Sequence, residues 1–257
     1  MSKFTLDTDF ATLSTAQTHQ WMLDLQDIIE TSFENSSNRT SLLANLLVLE
    51  RYTNTLRQGL AANGEQPSAI LQQSQDLLWD WLQERANPHD FEDYANNLYA
   101  CVCYIATGEE LNEQQEAFLH EQLAEYADFS TIETHIIEWS AALLISILAI
   151  SGARLDFEEL ASCKNISFFE IEDMLNILTD TCIDLTGIPR ASCKAKDWEE
   201  AEGKLYQTPL FRQIVANVLE DLRTALAAKP EAFAALRKTY QQCTILPEEF
   251  AEDLLAY

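Results

Sequence analysis

Glycine and proline are scarce in this 257-residue chain, six of each, and no stretch alternates apolar with polar residues as a half-buried strand does. Those absences exclude a turn-rich sheet protein and leave a helical one. Cysteine pairs at CxxC spacing are missing too: Cys101, Cys103, Cys163, Cys182, Cys193 and Cys243 are scattered and mostly occupy apolar stretches. Such spacing predicts reduced structural thiols, with no disulfide framework and no zinc. The opening MSKFTLDTDF lacks a basic segment leading into an apolar one, so no signal peptide is expected and the protein is assigned to the cytoplasm. Positive charge is scarce relative to negative. Sixteen Lys and Arg stand against 42 Asp and Glu, a net charge of -26. A surface of that kind repels nucleic-acid backbones and anionic membranes and favours cationic partners.

What the chain does have is one long apolar run. Residues 130–152, STIETHIIEWSAALLISILAISG, are interrupted between Ile136 and Ile150 only by Glu138, Ser140 and Ser146. No solvated stripe remains, so a helix there must be covered on most sides. Ser130 with Glu133 three residues on reads as a capping box, and Gly152 suits a left-handed cap. A membrane span is the rival reading, set aside because the run is shorter than the roughly 20 apolar residues a bilayer needs.

The remaining periodicity predicts an all-α protein: a single irregular bundle of roughly nine to twelve helices around the buried helix 131–151. Ser14 and Gln17 open a first amphipathic helix through Trp21, Leu25, Ile28, Ile29 and Phe33. Leu42 to Leu60 trace a wide apolar face on a second. In a third, Ile70, Leu71, Ser74, Leu77, Leu78, Trp81 and Leu82 share a face. A fourth ends near Gly108, and an acidic fifth runs over roughly Asn112 to Tyr126. Later helices open at Ser167 with Glu170 and at Thr208 with Pro209, and Pro230 and Pro247 divide the end of the chain. The segment GIPRASCKAKDWEEAEG reads as the least regular. A subdivision could fall near 188–207, but the apolar helix after it must dock on something, so 1–257 reads as one domain.

The stretch ERYTNTLRQGLAANGEQPSAILQQSQDLLWDWL, with its Glu-Arg start, glycine turn and Asp-Leu-x-Trp helix, resembles the YjaG-like bacterial proteins of unknown function. The resemblance covers about residues 45–150 and departs at Thr53-Asn54 and Asn63-Gly64-Glu65. It implies a compact helical fold and no particular activity.

Candidate chemistry is thin. His89-Asp90 resembles the dipeptide of metal-dependent helical phosphohydrolases; following Pro88, it reads instead as a helix start with Asp90 as a cap. Glu133, His135 and Glu138 supply one partial Glu/His set where a di-metal bundle needs two, so a polar partner for a first-turn histidine is expected. Cys101 and Cys103, two apart, point to different helix faces. Neither a Gly-x-Ser-x-Gly elbow nor a phosphate-binding glycine loop occurs. Trp21, Trp79, Trp81, Trp139 and Trp198 read as core aromatics rather than a ligand cage. No catalytic residue, metal or cofactor is assigned.

Charge distribution carries the functional reading. Between Gln58 and Ala153 the only Lys or Arg is Arg85, against sixteen acidic residues. Asp76, Asp80, Glu84, Glu92, Glu113, Glu116, Glu121 and Glu125 form the candidate partner-binding set. They describe an interaction protein that captures a basic protein partner, as an immunity-type inhibitor covers a basic nuclease. The alternative is a helical enzyme or small-ligand protein whose site is assembled from distant residues. The plain reading is that these carboxylates only solvate an acidic bacterial protein.

Overall fold

A computed structural model describes residues 4–108, 110–124, 129–188, 195–252 and 255, with backbone alone at 159, 184 and 195–199. Among the described residues there are eleven α-helices and no strand. In chain order they are α1 (Thr15–Leu23), α2 (Leu25–Phe33), α3 (Asn38–Ala62), α4 (Ala69–Leu82), α5 (Glu92–Thr107), α6 (Glu113–Gln122), α7 (Thr131–Ser151), α8 (Phe169–Leu185), α9 (Ala195–Leu205), α10 (Pro209–Ala227) and α11 (Phe233–Tyr240).

Helix α7 is the buried central helix that its apolar run requires. From Ile132 to Ile150 every residue is buried or half-buried, against α4, α5 and α3. Gly152 closes it at φ 67°, a left-handed conformation that glycine adopts without a Cβ clash. Only half of the expected capping box forms at its start. The Ser130 hydroxyl accepts from the Glu133 amide at 3.2 Å, but the buried Glu133 side chain turns away from the box to accept from the Ser68 amide at 3.1 Å. That carboxylate therefore satisfies the start of α4, a neighbouring helix. By length and composition α7 would also span a bilayer, contrary to the expectation that its run is too short. What distinguishes it is that its apolar surface is covered by other helices.

Helix α3 is buried still more completely, with no residue from Ser41 to Leu56 reaching solvent appreciably. It packs against α10, α7, α4 and α11, and its polar residues are used inside. The Arg51 guanidinium donates to buried Asp221 at 2.8 and 3.0 Å, and the Tyr240 hydroxyl donates to the same carboxylate at 2.7 Å. Asn54 donates to the carbonyls of Tyr240 and Cys243 at 2.7 and 2.9 Å. The Thr55 hydroxyl accepts from the Ile245 amide at 3.0 Å. Residues 240–246 are thus fastened to the middle of α3. Gly59 lies one turn further on, where an added Cβ would strike the Ala251 carbonyl oxygen.

Where one N-terminal helix was expected there are two, broken at Asp24 (φ -91°, ψ 0°). The break lets α1 pack on α9 while α2 packs on α8. The segment expected to be irregular contains α9, and residues 189–194 within it lie outside the described residues. One continuous apolar cluster joins residues from Phe4 to Leu246.

Candidate functional site

The acidic candidates separate into two groups once their neighbours are known. On α4, Asp76 pairs with Arg237 of α11, and Asp80 lies 3.3 Å from the same guanidinium and 3.9 Å from Arg85. The Arg237 guanidinium also sits 5.9 Å from the Trp79 ring centroid, so these carboxylates dock α11 onto α4. Glu84, held at φ 60°, pairs with Arg39. Glu92 accepts from the Arg154 amide at 2.8 Å and lies 2.5 Å from the His89 ring. The Arg154 amide first, then His89, holds its carboxyl below the usual carboxylate range. Asp76, Asp80 and Glu84 each meet an arginine within the fold, and Glu92 is held by a backbone amide and the His89 ring.

Helix α6 differs. Asn112 and Gln115 form its capping box, the Asn112 side chain accepting from the Gln114 and Gln115 amides at 3.0 Å. Glu113 and Glu116 occupy its first turn, where the helix dipole favours negative charge. No residue of α6 is fully buried. It is tethered to α5 by the Phe118 ring standing edge-on to Tyr94, centroids 5.6 Å apart, and by the Cys101 thiol donating to the Gln115 carbonyl at 3.5 Å. Glu113, Glu116 and Glu121 are exposed. Among the described residues none of them meets a cation. Glu125 lies outside the described residues.

Beside α6 runs a trough, apolar at one end, that no single segment of sequence announces. One part, of about 620 Å³, is lined by Ile105 of α5, Leu119 and Leu123 at the end of α6, and Phe129, Thr131 and Thr134 at the start of α7. A second, of about 550 Å³, continues past Leu119 and His120 to Tyr104, Gly108, Glu110 and Leu111, with Glu116 on its wall. Tyr104 and Ile105 are among the few large apolar side chains left exposed, at 40% and 37%. Turning ~100° per residue, α6 presents Glu116 and His120 on the flank carrying Leu119 and Leu123, with Glu121 on its far side. The trough is therefore mainly apolar at the α7 end and mixed at the other, where Glu110, Glu116 and His120 share the lining with Tyr104, Leu111 and Leu119.

A second acidic cluster escaped the sequence reading because its members come from three helices. Glu170 and Glu172 of α8 have raised pKa values, through desolvation first and then through repulsion. The repelling neighbours are Asp173 and Glu138 for Glu170, and Asp173 and Glu30 for Glu172. Phe169 stands exposed beside them at 54%.

The remaining candidates have structural partners. Asp90 accepts from the Asn87 amide at 3.0 Å within a capping box. His135 pairs with the Thr131 carbonyl at 2.7 Å. Among the described residues no three His, Cys, Asp or Glu side chains converge as a metal site. Cys101, Cys103, Cys163, Cys182 and Cys243 are free thiols, and burial pushes Cys101 and Cys182 up to about 11 and 12. Such thiols are poor nucleophiles. Trp79 rather than Trp81 is the buried member of its pair, donating to buried Glu50 at 2.7 Å, whose pKa desolvation raises. Trp139 donates to Asn45 at 3.0 Å.

No family model, curated protein or solved structure matches the chain.

Proposed function

We propose that the protein is an acidic interaction protein that captures a basic protein partner through α6 and the trough beside it. One observation carries this reading. The exposed carboxylates of α6 meet no cation among the described residues, whereas Asp76 and Asp80 of α4, Glu84 just beyond it and Asp93 of α5 each pair with an arginine within the fold. A matched carboxylate has little attraction left to offer, while an unmatched one contributes its field to an approaching cation and raises the encounter rate.

The test compares two triple charge reversals against a 20-residue oligolysine probe. Glu113, Glu116 and Glu121 are changed to Lys in one variant, and Glu30, Glu172 and Asp173 in the other. All six positions lie at or near the surface, so each protein is first checked for an unchanged melting transition. The α6 variant is expected to associate about tenfold more slowly at low salt, within the range seen for electrostatic steering. The other variant should associate close to the wild-type rate. Equal loss from both would mean that only overall charge attracts the probe, and the reading would fail.

A further inference from the structure

Resting on that reading, we propose that the trough formed by α5, α6 and the start of α7 receives an amphipathic helix of the partner, with its apolar stripe inward and its lysines or arginines against the rim. The floor is apolar at one end, where Ile105, Leu119, Leu123 and Phe129 line it, and at the other Tyr104 and Leu111 lie among Glu110, Glu116 and His120. A purely cationic, fully hydrated segment would leave that floor wet, so the occupant must bring apolar side chains of its own. The rim is anionic, with Glu110 and Glu116 on the wall and Glu113 one turn before Glu116. An apolar ligand without positive charge would leave those carboxylates to be desolvated with no compensation.

Backbone chemistry selects a helix over an extended peptide. Among the described residues there is no strand, hence no sheet edge to accept a peptide's amides and carbonyls. A helix satisfies those groups within itself and so lies against the apolar part of the floor without stranding them. On the partner, apolar residues at i, i+3, i+4 and i+7 would present one stripe, with cations flanking it.

The full-length protein is titrated with two peptides of identical Leu and Lys composition, one with the leucines on a single helical stripe and one with them scattered around the helix. A fluorescence anisotropy titration at physiological salt is expected to show the striped peptide binding about tenfold more tightly, since each well-buried Leu contributes on the order of a tenfold change. Ile105→Ser, at an exposed position, should erase that difference while leaving the scattered peptide unaffected. If both peptides bind equally, and both weaken on reversal of Glu113, Glu116 and Glu121, the helical occupant is refuted and the acidic-face reading stands. If neither peptide binds at all, both readings are refuted. A concentration-dependent dimer in sedimentation that Ile105→Ser disperses would give the trough to a second copy of the chain and overturn the inference.

Discussion

Asp221 is a carboxylate that the fold encloses completely. It is buried, and desolvation outweighs the hydrogen bonds and charge of Arg51, pushing its carboxyl from 3.8 up to about 6. The folded state then binds a proton more readily than the unfolded chain. This group's contribution to stability is accordingly full below about pH 4 and is lost as pH rises through 6. Relative to Asp221→Asn, which keeps an accepting oxygen without the charge, the wild-type melting temperature should fall across that window. Parallel curves for the two proteins would show that burial does not govern this carboxyl. Asp221→Ala removes the acceptor altogether and leaves Arg51 unpaired, an expected loss of about 3 to 5 kcal/mol. None of this chemistry was legible locally. ERYTNT reads as the polar side of an amphipathic helix, yet Arg51, Asn54 and Thr55 are buried because their partners arrive 170 to 190 residues later.

Helix ends were the most legible feature of the chain, because a cap is a local contract between neighbouring residues. Ser14 with Gln17 forms its box, Thr208 caps α10 ahead of Pro209, and Gly108 and Gly152 close α5 and α7 in the left-handed region. Glu133 departs from its expected role because a tertiary partner, the Ser68 amide, competes for it. The break at Asp24 carries no proline or glycine signal, and packing against α9 and α8 accounts for it. Gly59 was equally silent. Its lack of a side chain admits the Ala251 carbonyl, so Gly59→Ala should displace the turn at Glu248–Phe250 despite the roughly 1 kcal/mol that alanine adds to an isolated helix. Hydrogen exchange over residues 247–252 would accelerate in the variant. Unchanged protection together with a higher melting temperature would contradict the close approach.

Across the whole molecule, the net charge of -26 sets a background that the ion pairs offset only locally. Most of those pairs are exposed, and exposed pairs contribute little. Self-repulsion should therefore dominate the salt response. Raising ionic strength from about 0.01 to 0.15 M shortens the screening length from about 30 to 8 Å, and the melting temperature is expected to rise. A fall would assign the larger effect to pairs such as Arg237 with Asp76 and Asp80. The acidity of α6 was readable from sequence, but the trough beside it was not, since its lining is drawn from three helices. The seam between α3 and residues 221–246 also bears on how the chain is made. Ribosomes add about 5 to 20 residues each second, so a nascent chain carries Arg51 without Asp221, 170 positions behind it, for about 9 to 34 s. Through that interval the middle of α3 has neither its ion pair nor the segment that covers it, and a chaperone that shields leucine-rich helices would find its binding site there.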